Sequence, residues 1–283
     1  MNKSLNNIMN PFRFVRDIIR DYPWGPINPT RYSLVTGFDG NFKIPLHCVQ
    51  TWQENSFGRT HRQSLQQFQN KNKTFQFDIM FESDRDKYMR ESWGGEKIYN
   101  IYKNAKFKVM AADIFRYCYI YEKGGFYTDI AKRPPEALLS YFSSNPSLIL
   151  FKEASGAAWN TFPIDKNAMS IYGAEDSLIP LYNTFFAATA GHRFLRILIN
   201  NIIAQWPMYC DVIFANPRMA IISLTGPGMF LKSFFEYCSE KGDITDVSLI
   251  PIKDAKSIYF EGSEARYKKY PSYMDFHNEK LSL

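Results

Sequence analysis

The sequence is poor in cysteine, and its cysteines are not spaced for chemistry. Cys48, Cys118, Cys210 and Cys238 are the full set among 283 residues. No two form a C-x-x-C pair, which argues against a zinc framework, and their apolar or mixed surroundings read as buried free thiols in a reducing, cytoplasmic setting. No run of about 18 apolar residues is present, so no spanning helix is expected. The first residues, "MNKSLNNIMNPFRFVRDIIRDYPWG", lack the apolar core of a signal peptide. No Gly/Ser linker, internal repeat or low-complexity tract stands out. A dense Lys/Arg stripe is also missing, so nucleic acid is not an expected partner. The excess of 34 basic over 28 acidic residues still leaves +6, which suits an anionic ligand or an acidic membrane face. The absence of a G-x-S-x-G elbow argues against Ser/His/Asp hydrolysis, and neither a Walker loop nor G-x-G-x-x-G occurs.

What is there is apolar and aromatic, 45% and 17% of the residues, enough for a sizeable core. Residues 1–42 form an N-terminal extension in which Phe14, Val15, Ile18 and Ile19 follow helical spacing. That helix either docks on the core or lies on a membrane surface as a peripheral contact. From residue 43 the pattern alternates. "KIPLHCVQTW" and "FQFDIMF" read as strands around the polar helix "RTHRQSLQQFQNK". "KFKVMAADIFRYCYIYEK" reads as a helix stopped by Gly124 and Gly125. "GFYTDI" and "SLILFK" read as strands around a helix "PPEALLSYF". The second half continues with a strand in "IPLYNTFFAATAGH", helices in "HRFLRILINNIIAQW" and "SLTGPGMFLKSFFEYCSEKG", and short strands in "VSLIPI" and "SIYF". This order predicts an α/β domain over 43–262, with a mostly parallel central sheet covered by helices. Residues 263–283 follow as an ordered tail or a lid. Ligands of such sheets sit beyond the carboxyl ends of the strands, which directs attention to Trp52 and Asp129.

Asp113 and Arg116 share one face of a helix that is apolar nearly all round. A helix of that kind is buried, and burying a charged pair needs compensation, which a functional cleft supplies. Asp129 ends a strand two residues after Tyr127, where an acid can accept hydrogen bonds from ligand hydroxyls or help hold a metal-bound diphosphate. Lys132 follows closely, and a cation there can offset diphosphate charge. Trp52, in "VQTWQ" with Gln50, is either a core residue or a platform for a nucleobase. "LTGPG" opens a helix whose backbone N–H groups and Thr225 hydroxyl can face a phosphate. Of the histidines, His47, His61 and His192 read as structural. His277, near the tail, is the candidate to donate to a diphosphate or ligate a metal.

Taken in order, "IPLHCVQTW", "AADIFRYCYIYEKGGFYTDI", "YNTFFAATAGHRFL" and "LTGPG" resemble the glycosyltransferases with a sugar-binding region containing the DXD motif, family thirty-two, over roughly residues 43–235. The resemblance implies a GT-A fold. It also implies retaining transfer of a hexose from a UDP- or GDP-sugar to a glycan or lipid-linked glycan, with Mn²⁺ or Mg²⁺ as the metal. By the same resemblance Trp52 stacks on the base, Asp113 and Arg116 hold donor-sugar hydroxyls, and Tyr127 and Asp129 line the donor, Asp129 also as metal ligand. Asn183 and Thr225, Gly226 and Pro227 match cleft positions, and Gln50 and Lys132 join the donor-binding set. Two positions depart from the pattern: Val49 stands where the family often has His, and Ala131 stands where the second acid of the motif is expected.

Overall fold

The computed structural model describes residues 22–27, 41–153, 180–263 and 276–283. The helix expected around Phe14 to Ile19 lies outside them, as does most of the expected tail. Strand β1 (His47–Thr51) is followed by α1 (Arg59–Lys71), β2 (Gln76–Met80), α2 (Glu82–Trp93), α3 (Lys97–Asn104), α4 (Lys108–Lys123) and β3 (Gly125–Thr128). After β4 (Leu148–Lys152) come β5 (Phe185–Ala188), α5 (Arg193–Gln205), α6 (Pro217–Leu224), α7 (Pro227–Lys241) and β6 (Val247–Pro251).

The strands form one sheet in the order β2-β1-β3-β5-β4-β6. The pairings β1/β2, β1/β3 and β4/β6 are parallel, and β5 runs antiparallel between β3 and β4. This is the mixed, mostly parallel α/β arrangement expected. In the central strands β3 and β5 both faces are buried, so they are apolar nearly throughout, whereas edge strand β2 alternates polar Gln76 and Asp78 with buried Phe77 and Ile79. Successive residues still point to opposite faces. Cys48, Phe126 and Phe185 pack on one side, with Leu65 and Phe68 of α1. Val49, Tyr127 and Phe186 pack on the other, with Ile114, Phe194 and Phe230 of α4, α5 and α7.

The double glycine makes a sharp return from α4 into β3. Gly124 and Gly125 have φ of 68° and 103°, conformations that an L side chain rarely adopts. A Cβ on Gly125 would also lie 2.7 Å from the His47 carbonyl oxygen.

Four local expectations differ from the structure. "PPEALLSYF" forms only a short 3₁₀ turn, Leu138–Phe142. The paired prolines offer no N–H, and the Glu136 N–H donates to the Tyr141 hydroxyl instead of to a helical carbonyl. "SIYF" makes one isolated bridge, Lys132 to Tyr259, and no strand. Helices α2 and α3 are not evident in the sequence pattern. In α2 only Arg85, Met89 and Trp93 are buried, a stripe led by a charged residue within a run of charges. Finally, "LTGPG" is a corner between α6 and α7, where the Thr225 and Gly226 N–H groups both donate to the Ile221 carbonyl and are not turned to a ligand. Among the described residues no helix is long and apolar enough to cross a membrane. Cys48, Cys118 and Cys238 are buried and Cys210 is partly so, all as free thiols.

Candidate active site

A cavity of about 500 Å³ opens beyond the carboxyl ends of β1 and β3. Its walls bring together Trp52, Asp113, Arg116, Tyr127, Asp129, Lys132, Asn183, Gly226 and Pro227 from the sequence candidates. They arrive from several elements: β1 ends beside Trp52, α4 carries the charged pair, β3 ends before Asp129, and the α6–α7 corner supplies Gly226 and Pro227. Parallel pairing of β1 with β3 places their ends side by side, which is why residues far apart in sequence meet here.

The charged pair is set in a closed network. Arg116 and Asp113 are each only 3% exposed, and Nη2 of Arg116 lies 3.1 Å from Oδ1 of Asp113. Asn183 donates to Asp113 at 3.2 Å and to the Tyr117 hydroxyl at 2.9 Å. Tyr117 in turn donates to the Thr225 carbonyl at 2.7 Å, while the Thr225 hydroxyl donates to Asp113 at 3.1 Å. Arg116 closes the ring by donating to the Asn183 carbonyl at 2.9 Å, with its guanidinium 4.6 Å from the Tyr127 ring centroid. Burial pushes the Asp113 carboxyl up to about 6, against the opposing pull of Arg116, Thr225 and Asn183. Buried charge of this kind persists only with good pairing, and Asn183, Thr225 and the face of Tyr127, all outside α4, provide it.

Three sequence candidates sit elsewhere. Thr225 is fully buried behind the wall, where it holds Asp113. Gln50 is fully buried beneath it, with its Nε2 donating to the Asp129 carbonyl at 3.5 Å. His277 is exposed and donates from Nδ1 to the Ala215 carbonyl at 3.3 Å, away from the cavity walls. The other histidines serve the fold. His47 pairs with Asp78 at 2.9 Å, His61 donates to the Ile130 carbonyl, and His192 accepts from the Phe194 N–H at the start of α5.

The cavity also holds residues that the sequence pattern did not single out: Arg85, Lys106, Lys108, Thr184 and Phe276. Phe276 arrives from the C-terminal segment and meets Phe107 edge-on at 5.5 Å. That segment is pinned by buried Leu281, whose carbonyl accepts from the Lys106 N–H at 2.9 Å. Two buried hydroxyls on the walls, Tyr127 and Thr184, find no hydrogen-bond partner among the described residues. Buried polar groups are nearly always bonded, so these two hydroxyls stand out beside the cavity.

The fit to a divalent metal is poor. Of the two carboxylates on the walls, Asp113 is committed to Arg116, Thr225 and Asn183. Asp129 stands alone, because Ala131 is buried where a second acid would be needed. Among the described residues no group of three or more His, Cys, Asp or Glu could hold a metal ion.

Residues 47–142 match the family described as "Glycosyltransferase sugar-binding region containing DXD motif". The chain is 23% identical over 211 residues to an initiation-specific alpha-1,6-mannosyltransferase of Candida albicans, covering 71% of this chain and 54% of that protein. It thus spans about half the length of this curated relative. A solved structure described as PaToxG glycosyltransferase aligns over 81% of this chain and 77% of its own, at 14% identity and a TM-score of 0.47. The matched stretch, residues 47–142, supplies Trp52, the Asp113–Arg116 pair and Asp129, so the likeness to glycosyltransferases with a DXD-motif sugar-binding region falls on the part of the chain that builds the cavity.

Proposed function

We propose that the cavity binds a nucleotide diphosphate sugar, UDP- or GDP-linked, and that the protein moves its hexose to a glycan or lipid-linked glycan with retention at the anomeric carbon. The observation that carries this reading is the convergence of one indole, one buried acid–guanidinium pair and two unbonded buried hydroxyls on a single cavity. Trp52 supplies a flat face for the base. Asp113, Arg116 and Asn183 present rigid acceptors and donors to sugar hydroxyls, and Asp129 lies between sugar and ribose. The name of the Candida relative points to mannose as the hexose.

In the proposed reaction the bond from the anomeric carbon to the diphosphate oxygen breaks. The acceptor hydroxyl attacks from the face that the diphosphate leaves, and its proton passes to a diphosphate oxygen. This chain's own residues orient the sugar so that the two events occur on one face. The catalytic unit spans residues 43–262, with the flanking segments serving acceptor or membrane-surface contacts at the cytoplasmic side.

A second reading, a homologue that binds sugar nucleotide without turnover, is favoured by one observation, the buried Ala131. A thermal-shift screen of UDP- and GDP-sugars, followed by a donor-hydrolysis assay, tests both. Stabilisation with turnover supports the transferase, and stabilisation without turnover supports the binder. No stabilisation by any sugar nucleotide, with or without Mn²⁺, would remove the donor assignment.

A further inference from the structure

The charges around the cavity do not balance. Five cationic side chains line it, Arg85, Lys106, Lys108, Arg116 and Lys132, against the two carboxylates Asp113 and Asp129. Three of the five are neutralised locally: Arg116 by Asp113, Lys106 by Glu279 and Lys108 by Glu82. Arg85 and Lys132 make no ion pair among the described residues. Arg85 is only 3% exposed. Its Nε donates to the Tyr102 hydroxyl at 3.1 Å and one Nη to the Thr51 hydroxyl at 3.2 Å, so both direct partners are neutral, and the Asp86 carboxylate is reached only through the Tyr102 hydroxyl, which donates to it. Lys132 has its ammonium 5.2 Å from the Tyr259 ring centroid and 5.7 Å from that of Tyr182. Two aromatic faces hold it in place and leave its charge unneutralised. Glu153 is near enough for Lys132 to lower its carboxyl against the larger upward effect of burial, but the two are not in ion-pair contact.

A buried guanidinium without a directly paired counter-charge is costly unless an anion completes it. The two unpaired cations approach the cavity from separate directions. Arg85 comes from α2 beside the end of β1, and Lys132 from the turn after β3. Asp129 lines the same cavity, and buried Ala131 stands where a second acid would be needed. Resting on the donor reading above, we propose that Arg85 and Lys132 clamp the donor's diphosphate from two sides and supply the positive charge that a metal would supply, so that donor binding does not depend on a divalent ion. Arg presents a planar fork to phosphate oxygens and Lys a point charge. Both would also stabilise the leaving diphosphate as its charge develops.

The test is calorimetric titration of the full chain with UDP and with GDP, in EDTA and again in Mn²⁺. For whichever nucleotide binds, the two affinities are expected to agree within about twofold. Lys132→Met and Arg85→Met are each expected to weaken it roughly tenfold or more, the scale of a lost charge-assisted hydrogen bond. Binding of the parent nucleoside, which lacks phosphates, should change far less. Lys132→Arg should retain most of the affinity. Because Arg85 is buried, its variant is judged only if it melts cooperatively without ligand; the half-exposed Lys132 carries the test independently. Nucleotide binding that appears only with Mn²⁺, or that survives Lys132→Met unchanged, overturns the clamp while leaving the donor site standing. Binding of neither nucleotide under either condition overturns both.

Discussion

Replacing Arg116 by methionine tests the network at its most heavily connected point. The guanidinium serves the Asn183 and Ala112 carbonyls, Asp113, and the face of Tyr127. Methionine fills much of the same volume but leaves the Asp113 carboxylate buried with only Thr225 and Asn183 as donors. Breaking a buried pair from one side costs about 3–5 kcal/mol, and that loss is expected at pH 8. The pH dependence has a definite sign. With Arg116 present, burial already pushes Asp113 up to about 6, and removing the guanidinium raises it further. A carboxyl raised in the folded state penalises folding fully above its folded value, and the penalty fades as pH falls towards the unfolded value near 4. The difference in stability between wild type and Arg116→Met should therefore shrink on acidification, by up to about 1.4 kcal/mol per pH unit. Urea unfolding followed by tryptophan fluorescence between pH 5.5 and pH 8 measures it. Adding Asp113→Asn to Arg116→Met removes the stranded charge and should restore at least half of the loss at pH 8. A loss below about 1 kcal/mol at pH 8, or a loss that does not vary with pH, would mean that the pair is not buried and coupled as described.

Three other substitutions probe separate parts of the site. Trp52→Ala should weaken nucleotide binding by about 1–3 kcal/mol if the indole stacks on the base; titration with the bound nucleotide reads this, and unchanged affinity removes the role. Tyr117→Phe breaks the relay between Asn183 and the Thr225 carbonyl and should cost about 1–3 kcal/mol in urea unfolding, because buried groups lose their partner. Leu281→Ala should cost about 2–5 kcal/mol through loss of a fully buried side chain. It should also loosen Phe276 at the cavity wall, seen as a weaker nucleotide titration. Full stability in this variant would show that the C-terminal segment is not anchored there.

The order of strands and helices was legible because hydrophobic runs of strand length alternate with helical periodicity, and because glycines sit where α4 must turn into β3. The same local patterns marked Trp52, the Asp113–Arg116 pair and Asp129: an aromatic and an acid at strand ends, and opposite charges three apart on an otherwise apolar helix. These properties belong to short stretches of chain, so the sequence by itself determined them. It could not show that β5 runs antiparallel, since a fully buried strand carries the same apolar residues in either direction. Arg85 was invisible because a charged residue within the charged run of α2 looks like a solvated face, and only docking of that helix beside Thr51 and Tyr102 buries it. Thr225 looked like a phosphate ligand because Thr-Gly-Pro-Gly suits a helix start. Packing of α6 against α7 instead turns its hydroxyl to Asp113 and its N–H to Ile221. Only tertiary structure decided which charges are neutralised and which remain open to the cavity, because pairing depends on distances between elements remote in sequence.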